Sequence, residues 1–247
     1  LIGSISYHQM KDRPNVSLWS DILAALQGEL GAITGAPTQG IFIAFEGGEG
    51  TGKSTQSKLL QKWLEQEGES VVLSREPGGT DLGVEIRKIL LHHRGDLAPR
   101  AEAALFAADR AHHVASKIRP ALSRGEIVIT DRYFDSSVAY QGAGRVLLPS
   151  EVARISRWAT ESLTPTLTII MDLPAEIGLS RLQSTDRLES EPLAFHERVR
   201  QEYLSLANTD PERFAVIDAS LSIEQIHELI VERVGAIKGL KKNQKTT

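Results

Sequence analysis

One eight-residue stretch constrains this chain more than any other: Gly47-Gly48-Glu49-Gly50-Thr51-Gly52-Lys53-Ser54. It fits G-x-x-x-x-G-K-[ST], a phosphate loop, and that pattern makes mechanical demands. Its glycines let the backbone turn so that successive N–H groups point inward at phosphate oxygens. A strand has to lead in, and a helix has to follow whose N-terminal partial charge adds to the field. Both are present in the sequence. Ile41–Phe45 is an apolar run, and beyond Thr55 the residues Leu59, Leu60, Trp63 and Leu64 share one helical face until Gly68 ends it. Lys53 is then placed to bridge β- and γ-phosphates and the Ser54 hydroxyl to ligate Mg²⁺, so ATP with Mg²⁺ is the expected pair.

The rest of the chain repeats the alternation of short strand and helix. After Ile41–Phe45 come Val71–Leu73, Ile127–Thr130, Leu167–Asp172 and Phe214–Asp218, each short, apolar and rich in β-branched residues, as a strand buried on both faces should be. Helical patterns separate them. Leu105, Val114, Ile118 and Leu122 mark a long helix closed by Gly125; Phe195, Val199, Tyr203 and Leu206 mark another; Ser222 with Gln225 forms a capping box for the last. Five strands alternating with helices predict a three-layer α/β/α domain of the P-loop NTPase class, with a five-stranded parallel sheet, over residues 41–237. Residues 1–40 read as an extension with one amphipathic helix (Trp19, Ile22, Leu23, Leu26, Leu30), and 238–247 as a flexible basic tail.

Composition narrows the function. A net charge of −4 over 247 residues gives no electrostatic reason to expect a nucleic-acid partner. The chain contains no cysteine, which excludes disulfides, thiolate metal sites and cysteine nucleophiles. No apolar run approaches the roughly 20 residues needed to span a membrane, and residues 1–40 lack the form of a signal peptide, so a cytoplasmic location is expected. A regulatory GTPase is disfavoured because neither Asn-Lys-x-Asp nor a following Asp-x-x-Gly is present, and the chain is short for a motor or helicase.

The acceptor side is written after the third strand, in Ile127-Val128-Ile129-Thr130-Asp131-Arg132. Ligands of open α/β sheets bind outside the carboxyl ends of strands. Asp131 there can hold Mg²⁺ or its waters, and Arg132 is a bidentate partner for phosphate. Phe106 and Arg110 lie four apart on one helix, so a flat ring and a guanidinium project together toward one ligand.

These blocks carry a resemblance. Phe45 to Gln56, Arg75-Glu76-Pro77-Gly78-Gly79-Thr80, Leu105 to Arg110, and Asp131 to Arg145 with its Ala139-Tyr140-Gln141-Gly142-Ala143-Gly144-Arg145 ending resemble the thymidylate kinases of bacterial type, from about Ile41 to about Val234. The resemblance implies phosphorylation of dTMP to dTDP by ATP, with small nucleotides as partners and a homodimer as the common assembly. It implies that Arg132, helped by Arg75, holds the acceptor phosphate, that Phe106 stacks on thymine and Arg110 bonds its carbonyl, and that Ser137 and Gln141 lie along base and sugar. Tyr140 would press on the sugar where a 2′-hydroxyl would fit, and Glu49 would stand near the sugar and the reacting phosphates. Because the phosphate loop holds no arginine, the lid (about 181–193) would supply one, Arg187 first and Arg181 second. Two other readings remain at this point: another nucleotide or deoxynucleoside kinase on the same scaffold, or a nucleotide-binding module without turnover.

Overall fold

The structure, a computed structural model, describes residues 40–238 apart from 94, 146 and 185. The helix expected within the first 39 residues and the tail beyond 238 lie outside the described residues. Five strands form one sheet in the order β2-β3-β1-β4-β5: β1 (Phe42–Gly47), β2 (Val71–Arg75), β3 (Ile127–Asp131), β4 (Leu167–Asp172) and β5 (Phe214–Asp218). Every pairing is parallel. All carboxyl ends therefore lie along one rim, and β1, in the middle, has β3 and β4 on its two sides. The chain leaves β1 for the edge strand β2, so the crevice beside β1 is where crossovers diverge and a ligand has room.

The sheet is covered on both faces, which is why its strands read as continuous apolar runs rather than alternating ones. Leu60 and Leu64 of α1 (Lys53–Gln66) pack on one face together with Ile226, Ile230 and Val234 of the C-terminal helix. That last helix, Ile223–Lys238, opens with the expected capping box: Ser222 N donates to Gln225 Oε1 at 3.1 Å and Gln225 N to Ser222 Oγ at 3.2 Å. On the opposite face Val114, Ile118 and Leu122 pack against Phe42, and Phe195, Val199 and Tyr203 against Ile170.

Two departures from the expected elements have physical causes. The long helix closed by Gly125 is α-helical over Pro99–His113 and again over Arg119–Ser123, with a wider π turn at Val114–Ile118 between them. Pro120 has no N–H and its ring would strike the carbonyl one turn earlier, and widening the preceding turn relieves both faults. The first strand extends two residues past its apolar run, through Glu46 and Gly47. A wholly buried carboxylate is tolerated at Glu46 because four donors meet it, as described below.

The helix Ala175–Ser180 touches the phosphate loop backbone to backbone. A Cβ built on Gly178 would collide with the carbonyl oxygen of Glu49, and one on Gly50, whose φ is +64°, with the carbonyl oxygen of Gly178. Helix propensity alone makes Gly178→Ala stabilising by up to about 1 kcal/mol. The contact reverses the sign: we expect Gly178→Ala to destabilise the fold by about 1–3 kcal/mol, the size of other overpacking changes. Chemical denaturation measures it, and a variant as stable as the parent would show that the two backbones can separate without cost.

Candidate active site

The phosphate loop bends where the sequence allows it. Gly50 and Gly52 have φ of +64° and +88°, the left-handed region that glycine enters without strain. α1 begins directly afterwards at Lys53. Gly47, Gly48, Glu49, Gly50, Thr51 and Gly52 thus form one turn between β1 and α1, and Ser54 and Thr55 stand exposed on the first turn of that helix. The Lys53 ammonium is folded back over the loop, donating to the carbonyl oxygens of Gly47 (3.2 Å) and Gly48 (2.5 Å). Burial first, and then the neighbouring Arg132, pull its pKa down to about 8.

Arg132 reaches the same carbonyl from the other strand: its Nη1 donates to Gly47 O at 3.0 Å. Its backbone sits at φ +70°, where a residue other than glycine is strained. Three contacts hold it there. Arg132 N donates to Phe45 O (2.8 Å), Thr130 Oγ1 donates to Arg132 O (2.8 Å), and the next amide, Tyr133 N, donates to Glu46 Oε1 (2.9 Å). The guanidinium lies 4.9 Å from the Tyr140 ring centre, and its Nη2 donates to Glu49 Oε1 (2.7 Å) and to the Tyr140 hydroxyl (3.1 Å). Burial disfavours both ions of this pair, yet mutual attraction outweighs it. Arg132 holds its proton more tightly than usual, and Glu49 is brought down to about 2 by Arg132 and Lys53. The Tyr140 hydroxyl donates to Glu49 Oε1 at 2.6 Å, so all three residues form one cluster.

Glu46 lies directly beneath. Its carboxylate accepts from Tyr133 N, Ser136 N (3.1 Å), Ser136 Oγ (2.5 Å) and the Tyr203 hydroxyl (2.9 Å). Burial, then the nearby Asp135, raises its pKa to about 7.

From Arg132 a cleft runs to Phe106, Arg110, Ser137 and Gln141. Phe106 and Arg110 do project together into it, from the helix Pro99–His113. Arg110 is almost wholly buried and braced: Nε donates to Glu76 Oε2 (2.7 Å), and Nη2 to Ser137 Oγ (3.0 Å) and Tyr133 O (3.2 Å). His113 Nδ1 shares the other Glu76 oxygen at 2.8 Å. Gln141 Nε2 donates to Glu102 Oε1 at 2.9 Å.

On the other side of the loop, Ser54 Oγ donates to Asp131 Oδ2 at 2.5 Å, and Arg75 lines the same opening. Among the described residues no group of three or more His, Cys, Asp or Glu side chains could enclose a metal. A hydroxyl and a carboxylate at the mouth of a phosphate loop nevertheless offer the hard oxygen donors that Mg²⁺ takes, with substrate phosphates and water completing its shell.

The two lid arginines part company. Arg181 Nη1 donates to Gly50 O at 3.2 Å, on the phosphate loop itself. Arg187, expected first at the phosphoryl group, is instead bound to the far end of the cleft: Nη2 donates to Glu102 Oε2 (2.6 Å) and Nε to Leu90 O (2.8 Å). The reason is charge, since Glu102 is fully buried and its carboxylate draws both Arg187 and Arg145.

Several residues of the site have no motif to announce them. Glu46 hides behind the glycines it precedes. Arg87, lining the cleft with Arg132 and donating to Pro77 O (3.0 Å), lies about two turns beyond the block that ends at Thr80. Glu102 and His113 had a partial signal: Glu102, Phe106, Asp109, Arg110 and His113 lie on a single helix face that is both charged and, in the structure, buried.

Parallel sheet, phosphate loop, an arginine at the neighbouring strand end and a second cleft beside them define the class of P-loop nucleotide-binding enzymes. The sequence model described as Thymidylate kinase matches residues 45–230. The thymidylate kinase of Clavibacter michiganensis subsp. michiganensis is 57% identical over 202 residues, covering 80% of this chain and 96% of that relative. That of Leifsonia xyli subsp. xyli is 61% identical over 191 residues, covering 76% and 90% respectively. The crystal structure of thymidylate kinase from Ehrlichia chaffeensis superposes with a TM-score of 0.66 at 31% identity, covering 79% of this chain and 98% of that one. The chain belongs to the thymidylate kinase family.

The buried Glu46 gives a pH signature. Its folded pKa, about 7, lies above the ordinary value of 4.5, so its contribution to stability is full below about pH 4.5 and is lost as pH rises toward 7. Glu46→Gln stays neutral, and its amide can donate to Ser136 Oγ or to the Tyr203 hydroxyl. Between pH 5 and 7 we expect the ligand-free parent to lose on the order of 2 kcal/mol more stability than Glu46→Gln. Asp109, pushed up to about 6, acts with the same sign in both proteins and cancels. Urea denaturation across that range measures the difference, and parallel pH profiles would refute the assignment.

Proposed function

We propose that the protein transfers the γ-phosphoryl group of ATP to dTMP, giving ADP and dTDP. One observation carries most of the reading: Lys53 from the phosphate loop and Arg132 from the end of β3 donate to the same carbonyl oxygen, that of Gly47. Two cations on one point, between a nucleotide loop and a separate cleft lined by Phe106 and Arg110, suit a donor and an acceptor whose phosphates must meet.

In the reaction an oxygen of the dTMP phosphate attacks the γ-phosphorus, the bond from that phosphorus to the β-bridging oxygen breaks, and ADP leaves with the electron pair. The acceptor oxygen is already ionised, so no general base is required, and catalysis is alignment plus positive charge. Lys53 and the loop N–H groups hold the β- and γ-phosphates; Arg132, with Arg87 in the same cleft, holds the acceptor phosphate, helped by Arg75 from the neighbouring opening. Ser54 and Asp131 would hold Mg²⁺, whose charge offsets that of the ATP oxygens. Phe106 stacks on the base, Arg110 donates to its carbonyl, and Ser137 and Gln141 line its edge. Tyr140, pinned by Glu49 and Arg132, fills the space a ribose 2′-hydroxyl would need. A homodimer and a cytoplasmic location belong to the same proposal; the exposed Trp158, Leu148 and Ile155 supply an apolar surface that a second copy would cover.

Two predictions test the reading. Lys53→Ala should retain its fold, because the ammonium faces the loop carbonyls and not the apolar core, while kcat/KM for dTMP falls by at least about 100-fold, as when one preorganised donor is removed. Turnover at the parental rate would overturn the ATP site. For the lid, the contact of Arg181 with Gly50 O favours Arg181 as the arginine that meets the transferring group. Arg181→Ala should lower kcat by about 10- to 100-fold with little change in KM for dTMP, and Arg187→Ala should chiefly raise that KM. Steady-state kinetics with both variants decides, and the opposite pattern would return the catalytic role to Arg187.

A further inference from the structure

The wall of the cleft is a two-rung ladder. One rung joins Arg110 Nη2 to Ser137 Oγ at 3.0 Å; the other joins Glu102 Oε1 to Gln141 Nε2 at 2.9 Å. Gln141 lies one turn beyond Ser137 on its helical segment, Glu102 two turns before Arg110 on the facing helix, and Phe106 stands midway between Glu102 and Arg110. A flat ring resting on Phe106 therefore has Arg110 toward one end of its edge and Gln141 toward the other.

The second rung fixes a polarity. A carboxylate paired with two guanidinium groups is an acceptor only, and Glu102 is paired with Arg187 (2.6 Å) and Arg145 (3.3 Å). It can accept from the Gln141 amide but cannot donate to it. The NH₂ of Gln141 is thereby turned toward Glu102, and no donor among the described residues reaches its Oε1. We propose that Glu102 is a positioning residue that locks the Gln141 amide, so that the cleft offers a carbonyl oxygen beside the Arg110 donor and selects a pyrimidine whose edge carries a carbonyl next to a ring N–H.

This inference rests on the dTMP reading and sharpens it. Thymine and uracil present C4=O beside N3–H, which complements a donor followed by an acceptor. Cytosine presents an exocyclic NH₂ beside a bare N3, the inverse pattern, and would set donor against donor and acceptor against acceptor. Replacing Glu102 by an amide changes the lock. The new carbonyl oxygen would face the two arginines, the new NH₂ would face Gln141, and the Gln141 amide would turn over to accept from it. An NH₂ would then face the ligand, and the polarity would be inverted.

The experiment is kcat/KM with ATP for dTMP and for 5-methyl-dCMP, which keeps the methyl group constant, in the parent, Glu102→Gln, Gln141→Met and the double variant. The parent should prefer dTMP. Glu102→Gln should narrow that preference by about tenfold or more, the worth of one misplaced hydrogen bond. Gln141→Met should narrow it comparably, and the double variant should match Gln141→Met, because Glu102 acts through Gln141. If Glu102→Gln lowers both substrates by the same factor, Glu102 is only a structural anchor for Arg145 and Arg187, and the proposal is overturned. Should that variant fail to fold, Glu102→Asp, which keeps an acceptor, is expected to hold the parental ratio while Gln141→Met narrows it; an unchanged ratio in Gln141→Met overturns the proposal independently. A parent inert toward dTMP would overturn the activity reading itself, a result distinct from a change in discrimination.

Discussion

Lys53 and Arg132 repel each other, and the fold nevertheless brings both to the Gly47 carbonyl oxygen. Much of the site is organised around offsetting that repulsion. Glu49, on the loop between them, pairs with Arg132 at 2.7 Å and lowers the field at Lys53; Tyr140 gives Arg132 a ring face and a hydroxyl. Burial, and after it Arg132, still draw Lys53 in the ligand-free protein down to about pKa 8. A bound polyphosphate opposes both. Binding the donor nucleotide and fully charging Lys53 are then one thermodynamic event, because phosphate oxygens favour the ammonium that burial and Arg132 disfavour.

Beneath the cations lies a buried layer built on Glu46. Glu46 ties Tyr133 N, Ser136 and Tyr203 into one unit, and Arg132 occupies its strained φ of +70° between the contacts so formed. Strain at such a residue persists only when its surroundings over-determine it. An arginine held this way loses little freedom when it meets a phosphate, which is how a preorganised donor differs from a solvated one. The base side follows the same rule. Arg110 donates to Glu76, Ser156, Tyr133 and Ser137 before any ligand arrives, so its one remaining N–H is aimed by the protein.

The sequence was most legible where local chemistry alone sets the geometry. The phosphate loop, the ends of β4 and β5 and the Ser222–Gln225 capping box could be placed because each depends on neighbours a few residues away. Arg132, Phe106 and Arg110 could be named as candidates by position on a strand end or helix face. Glu46 could not, because a carboxylate after an apolar run looks like the strand's exit until Tyr203, 157 residues later, is known to lie against it. The π turn was likewise hidden: the apolar period from Leu105 to Leu122 survives a single widened turn, and only Pro120 hinted at it.

Arg187 shows most clearly what local reading leaves out. By sequence it is a cation in a polar segment whose natural partner is a phosphate. In the fold it competes for a different anion, Glu102, which is buried and must be neutralised whether or not a nucleotide is present. Leaving a buried carboxylate with too few cations costs several kcal/mol, and that requirement exists before any ligand does. The lid is therefore tied to the floor of the acceptor cleft through Arg187, while Arg181 remains beside the phosphate loop at Gly50. One segment sends two arginines to two different anchors, a loop carbonyl and a buried carboxylate. The segment that carries both arginines thus couples the phosphate loop, through Gly50, to the buried Glu102 beside Gln141.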